Sequence, residues 1–207
     1  EISECLVGSE MCIRDRVEGG LEREMQVWAG VRKSSSRKYL QDTRIQFAEL
    51  DFTDSDKLEG QLAKHKREHG GWDYIIHCAG VTKCRSKADF EIGNYWATRY
   101  FIGILSKLDM LPKQFVYISS LSVFGPIREK DYSSIQEQDV PQPNTAYGQS
   151  KLHSEEYLHS LKDFPYVIFR PTGVYGPRER DYFLMAKSIA QHIDFACMYT
   201  VAPHSNK

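Results

Sequence analysis

The chain has 207 residues, enough for one domain with a well-buried core. Its 28 acidic and 27 basic residues nearly cancel, at a pI of about 6.7, which argues against a nucleic-acid groove or a polybasic membrane patch. The best apolar runs, YIIHCAGV and FVYIS, are too short to span a bilayer, and the five cysteines (5, 12, 78, 84 and 197) are odd in number with no CxxC pairing. A reduced, cytoplasmic protein is the economical expectation.

Runs enriched in Val, Ile, Phe and Tyr predict strands over 25–31 (MQVWAGV), 45–50 (IQFAEL), 73–80 (DYIIHCAG), 114–120 (QFVYISS) and 166–172 (YVIFRPT). Helical stretches lie between them, at about 55–69, 88–108, 145–161 and 179–193. Strands that alternate with helices and are apolar on both faces indicate an α/β fold, a doubly wound parallel sheet covered by helices. In such sheets ligands sit beyond the carboxyl ends of the strands, so the polar residues after each strand should line the pocket.

The strand over 25–31 runs into GVRKSSSRK. In a doubly wound nucleotide fold an acid after the second strand bonds the adenosine ribose, whereas an arginine accommodates a 2′-phosphate. Arg32 and Lys33 stand in that place, which favours NADP over NAD; a solvated basic turn is the plain alternative. The next strand leads into ELDFTD, where the Asp51 carboxylate could accept from an adenine amino group or serve as a turn residue before a helix capped by Asp54 and Ser55. HCAG then puts small residues at a strand end, where backbone can approach a ligand or simply turn. ISSLSVFGP gathers Ser119, Ser120 and Ser122; if the strand persists, Ser120 and Ser122 share one face. These hydroxyls could bond a substrate oxygen or satisfy the strand's own backbone.

TAYGQSK (145–151) opens the helix predicted over 145–161. Residues four apart lie on one helix face, so the Lys151 ammonium would favour the phenolate of Tyr147 and fit it for proton exchange. An exposed tyrosine over a lysine stem is the bland alternative.

Together and in this order, DFTD, HCAG, Asn94 in GNYWAT, SSLSVFGP, YGQSK and FRPTGVYGPR resemble the extended short-chain dehydrogenase/reductase family of NAD(P)-dependent epimerases, dehydratases and reductases, from about residue 20 to 193. The resemblance implies a Rossmann-like fold, with Tyr147 as the catalytic acid/base, Lys151 holding the nicotinamide ribose and Ser120 positioning the substrate oxygen. It places Asp51 and Phe52 at the adenine, Ala79 and Gly80 at the phosphate and ribose, Pro171 at the nicotinamide and the loop 126–144 at the substrate. The implied chemistry interconverts an alcohol and a ketone of a small molecule, sugar-nucleotide or hydroxysteroid/flavonol-like, with NADP as cofactor and NAD admissible. No metal, nucleic acid or membrane is expected, and a homodimer is admitted. A non-catalytic NAD(P)-binding sensor or scaffold is the rival reading, disfavoured by the joint presence of Ser120, Tyr147 and Lys151.

Leu121 and Ser122 follow Ser120 where sugar-nucleotide dehydratases of this family usually carry Asp-Glu, which disfavours dehydration. Gly173 stands where many sugar-nucleotide enzymes carry Asn, which leans toward reductases. The family's opening GxxGxxG is also missing. If ECLVG is the first strand, Gly8 takes the place of the first glycine, and Met11 and Arg14 take those of the second and third. CLVGSEMCIRDR resembles the direct translation of a transposase adapter used in shotgun sequencing. Residues 1–16 are therefore expected to be a non-native segment, 17–193 the dinucleotide-binding domain and 194–207 a truncated tail, with the substrate-binding part largely missing. His65 and His69 are i, i+4 and could ligate a metal, but the charges around them predict a solvated helix face. Cys78 and Cys84 lie near the proposed pocket without a positioned base, so neither is expected to be a nucleophile.

Overall fold

The structure, a computed structural model, describes residues 3–8, 10–128, 133–173 and 181–190, with side chains from Arg16 onward except at 181, 182 and 185. Six parallel strands form one sheet: β1 (Ser3–Gly8), β2 (Gln26–Val31), β3 (Gln46–Glu49), β4 (Tyr74–Cys78), β5 (Gln114–Ile118) and β6 (Tyr166–Phe169). Their order, β3-β2-β1-β4-β5-β6, is that of a doubly wound dinucleotide fold, with the direction of winding reversed beside β1. β1 pairs with β2 on one side and β4 on the other, so the N-terminal stretch holds the centre of the sheet.

Strand alternation buries both faces. Helix α1 (Glu10–Glu22) brings Val17 and Leu21 onto Val27, Ala29 and Val31 of β2. On the opposite face α2 (Ser55–His69), α4 (Ala97–Lys107) and α5 (Ala146–Ser160) cover Trp28, Ile75, Phe115 and Tyr117. The start of α2 is fixed by Asp54, whose carboxylate accepts from the amides of Asp56 at 3.1 Å and Lys57 at 3.0 Å. Thr145 caps α5 by accepting from the Gly148 amide at 3.0 Å.

Two readings of the sequence change here. The stretch expected as one helix over 88–108 is α3 (Lys87–Phe90), a π-helical segment (Glu91–Trp96) and then α4. The His65 face of α2 is not solvated: His65 is buried, stacked on Trp72 at 4.3 Å and edge-on to Trp28 at 4.5 Å. No cluster of His, Cys, Asp or Glu fit for a metal occurs among the described residues.

The chain divides into two compact units, 1–172 and 173–207. In the second, α6 (Asp181–Ala190) carries exposed Phe183, Leu184 and Ile189. No described helix is long and apolar enough to cross a membrane.

Candidate active site

A cavity of about 260 Å³ opens at the carboxyl ends of β2, β3 and β4. Its lining includes Arg32, Ala79 and Gly80, expected near a ligand from their places after strands, and Phe52, which the family resemblance placed at the adenine. Lys33 is exposed and is not in the lining. The Asp51 carboxylate is engaged elsewhere, by Lys57 Nζ at 2.6 Å and by the Thr53 hydroxyl at 2.6 Å and amide at 3.2 Å. Those bonds hold its pKa down at about 2. The turn role, one of the two that the sequence admits, is therefore the one the Asp51 side chain fills, while Phe52 and Thr53 present themselves to the cavity.

One wall of the cavity depends on close backbone approach. A Cβ on Gly80 would lie 2.6 Å from Asn94 Oδ1 and 3.4 Å from Lys151 Nζ, so only hydrogen fits there and the Lys151 ammonium borders the same wall. Asn94, fully buried in the π-helical segment, spends its carboxamide on three bonds. Its Oδ1 accepts from Val81 N at 2.8 Å, and its Nδ2 donates to Val81 O at 3.1 Å and Ser150 Oγ at 2.9 Å. Ser150 Oγ donates onward to the Tyr147 carbonyl at 2.8 Å. π turns recur where an α-helix is locally re-registered at a site, and this one aims Asn94 at the loop after β4. Sequence reading missed Gly93, Val81 and Ala97 as cavity residues, because what gathers them is this non-local clasp.

The expected Ser120–Tyr147–Lys151 group is partly assembled. Lys151 is buried; its Nζ donates to the Ile118 carbonyl at 2.9 Å and lies 4.8 Å above the Tyr117 ring. Tyr147 stands in the first turn of α5, half-buried and edge-on to Phe90 with ring centroids 6.3 Å apart. The fifth strand stops at Ile118, earlier than the sequence suggests, and Ser120 caps a 3₁₀ turn over Leu121–Val123. Its Oγ accepts from Ser122 N at 3.2 Å and donates to Ser122 Oγ at 3.1 Å. Ser119 is buried with its hydroxyl unpartnered. This turn rests directly on α5: a Cβ on Gly148 would collide with the Ser122 carbonyl.

Pro171 is held from two sides. Its carbonyl accepts from Leu121 N at 2.9 Å, and the neighbouring Arg170 forks onto buried Glu155 of α5, Nη2 to Oε2 at 2.8 Å and Nε to Oε1 at 3.1 Å. Of the loop 126–144, residues 129–132 lie outside the described residues. Cys78 and Cys84 are half-buried and in no disulfide, and burial raises the Cys84 thiol's pKa.

The family model for the NAD dependent epimerase/dehydratase family matches residues 6–196. The chain belongs to that family. Among its relatives, the human dTDP-D-glucose 4,6-dehydratase is 25% identical over 157 residues, covering 72% of this chain and 43% of that protein. The uncharacterized UDP-glucose epimerase YtcB of Bacillus subtilis (strain 168) is 31% identical over 131 residues, covering 59% and 40%. Of solved structures, the Bordetella bronchiseptica enzyme WbmH in complex with NAD+ superposes with a TM-score of 0.70 at 20% identity, over 93% of this chain and 63% of that one. The chain thus spans about two fifths of the length of the curated relatives it matches.

The ends of β2, β3 and β4 would suit part of the family's dinucleotide, since small Gly30, Ala79 and Gly80 line the cavity together with Arg32 and Phe52. At the β1–α1 turn the fit fails in sequence. Gly8 ends β1, but positions 11 and 14, glycines in the family pattern, are Met and Arg and fall within α1.

Proposed function

We propose that this chain is the dinucleotide-binding part of an NAD(P)-dependent oxidoreductase or epimerase acting on a sugar nucleotide, with Tyr147 as acid/base, Lys151 on the nicotinamide ribose and Ser120 positioning the substrate oxygen. The observation that supports this reading is a shared glycine: Gly80 lines the cavity with Arg32, Phe52 and Ala79, and Lys151 Nζ lies 3.4 Å from where a Cβ on Gly80 would stand. A lysine behind that glycine, one helical turn from a tyrosine, could serve ribose and phenol together once a dinucleotide is bound. The bound cofactor would supply the hydride; Tyr147 would move the hydroxyl proton of the reacting carbon. Ser120 would need to turn its proton from Ser122 to the substrate.

Arg32 in the lining supports NADP as the preferred form, because a guanidinium can fork onto a 2′-phosphate. Leu121 and Ser122 after Ser120 favour redox or epimerisation over dehydration. A reducing, cytoplasmic setting would suit Cys78 and Cys84, which form no disulfide. Exposed Ile92, Trp96 and Tyr100 recur every four residues along the π–α4 stretch and would suit a homodimer, to be checked by sedimentation.

The test is made in a full-length protein of this family carrying these residues. Tyr147→Phe should remove most turnover and leave cofactor affinity nearly intact, since it deletes only the proton carrier. Lys151→Met should damage both. Wild-type-like turnover in Tyr147→Phe removes the assignment, and cofactor binding without any turnover in the parent protein makes it a sensor instead.

A further inference from the structure

His77, in β4, is fully buried among the rings of Phe101, Phe115, Tyr117 and Phe52, with centroids 5.5–5.9 Å away. Its Nε2 lies 3.0 Å from Thr98 Oγ1, its Nδ1 has no partner, and Thr98 Oγ1 lies 2.8 Å from the Asn94 carbonyl. A hydroxyl has one proton to give. Given to His77, it would leave the oxygens of Thr98 and Asn94 opposed as bare acceptors, and the ring's own N–H buried at Nδ1 without an acceptor. Given to Asn94, every contact is satisfied except one lone pair on Nδ1. The direction is therefore fixed: His77 Nε2–H to Thr98 Oγ1, and Thr98 O–H to Asn94 O. Beyond it the Asn94 carboxamide clasps Val81 and Ser150, and Ser150 reaches the Tyr147 carbonyl.

We propose that His77, held as the Nε2–H tautomer, is a positioning residue: through Thr98 it sets the π-helical turn that aims Asn94 at Val81 and Ser150, and so places the Gly80–Val81 wall against the helix bearing Tyr147 and Lys151. The hydroxyl of Thr98 reaching back four residues is the kind of bond that bends a helix from its regular ladder, and the π segment lies immediately before it. Burial, with the charge of Lys151 behind it, lowers the imidazole pKa to about 3, so the ring is neutral at pH 7 and carries one proton, which the hydrogen bonds place on Nε2. The inference rests on the proposed function only for what is being positioned; the network itself is independent of it.

The test needs neither cofactor nor turnover. In protein labelled with 15N-histidine at pH 7, the His77 ring, assigned by its disappearance in His77→Leu, should carry its proton on Nε2 and none on Nδ1. Amide exchange then reads the clasp, because the Val81 N–H is bonded to Asn94 Oδ1. His77→Leu and Thr98→Val should each speed Val81 exchange about tenfold or more, while Leu50 and Phe115, bonded to Val31 and Pro165, keep their rates within about threefold. His77→Gln, which can present a donor where Nε2 stands, and Thr98→Ser should restore Val81 protection. A proton on Nδ1, unchanged Val81 exchange, or equal acceleration of all three amides overturns the proposal. Should the leucine variant not fold, His77→Gln supplies the assignment, and the tautomer and the Thr98→Val and Thr98→Ser pair decide it. A full-length protein of the family carrying these residues that binds neither NADPH nor NADH defeats the cofactor reading and leaves these results standing.

Discussion

Gly80→Ala places one methyl group where the structure leaves no room for it. The new Cβ would stand 2.6 Å from Asn94 Oδ1, closer than carbon and oxygen tolerate without bonding. Asn94 is fully buried and tied to Val81 and Ser150, so the carboxamide can escape only by breaking those bonds. Leaving the Val81 amide and carbonyl without their partner costs about 1–3 kcal/mol each, so the substitution should destabilise the fold by about 2–6 kcal/mol. With a urea slope of about 2 kcal/mol/M, the midpoint should fall by about 1–3 M at unchanged slope, followed by tryptophan fluorescence. The cause is separable by a double-mutant cycle. Asn94→Ala is itself costly, but it removes the obstructing oxygen, so Gly80→Ala in that background should cost no more than about 0.5 kcal/mol, a coupling of about 2 kcal/mol or more. Costs that add, or a Gly80→Ala midpoint equal to the parent's, would falsify the clash as the reason for glycine at 80.

Acid should unfold the protein through its buried histidines before its carboxylates matter. His65, desolvated and beside His69, is lowered to about 4, and His77, desolvated and facing Lys151, to about 3. Both take up a proton on unfolding at any pH between those values and about 6.5, so stability is full at pH 7 and falls as pH drops; at pH 5 each histidine should have cost about 2 kcal/mol. Equilibrium unfolding at pH 7 and pH 5 measures this, and His65→Gln should halve the difference; the Asp51 contribution, with its pKa at about 2, is lost only below about pH 4. Replacing Arg32 and Lys33 by alanine should weaken NADPH more than NADH, and equal losses would mark them as solvated turn residues. Replacing residues 1–16 by a family-like strand and GxxGxxG loop should tighten NADPH binding by about two to four powers of ten, two restored charge-assisted amide bonds at about 1.5–3 kcal/mol each; tight binding by the unaltered chain in the same fluorescence titration would refute it.

The sheet was readable because each strand is a local apolar run and each alternates with a helix; the predicted runs at 25–31, 45–50, 73–80, 114–120 and 166–172 all contain strands. Their carboxyl ends were read too long where serine or glycine follows, since Ser120 uses its hydroxyl to start a turn rather than continue a ladder. The cavity residues legible in sequence were those with a place in that strand order, such as Arg32, Phe52, Ala79 and Gly80. The π segment had no local signature, because Asn94 and Thr98 are bound there by partners on β4, α5 and the loop between. His65 was misread for a different reason. Leu58, Leu62 and His65 form one helical stripe, but Lys64, Lys66, Arg67 and Glu68 surround the last member in sequence and hide the stripe's end.

The N-terminal stretch separates two demands that the family's native opening meets at once. A central strand asks only for backbone N–H and C=O groups in register, which nearly any residue supplies, and Ser3–Gly8 pairs with both neighbours despite its unfamiliar sequence. A phosphate loop asks for missing side chains, since amides can meet a pyrophosphate only where no Cβ intervenes. Fold and site therefore depend on this stretch with different stringency. Ser3–Gly8 completes the sheet, while the family pattern asks for glycine where this sequence has Met11 and Arg14. Membership of the family, which rests on the whole pattern, does not by itself convey the family's affinity for its cofactor. In this chain the cavity beyond β2, β3 and β4 is lined by Arg32, Phe52, Ala79 and Gly80, and on the proposed reading the sequence after β1 sets how tightly a dinucleotide is held there.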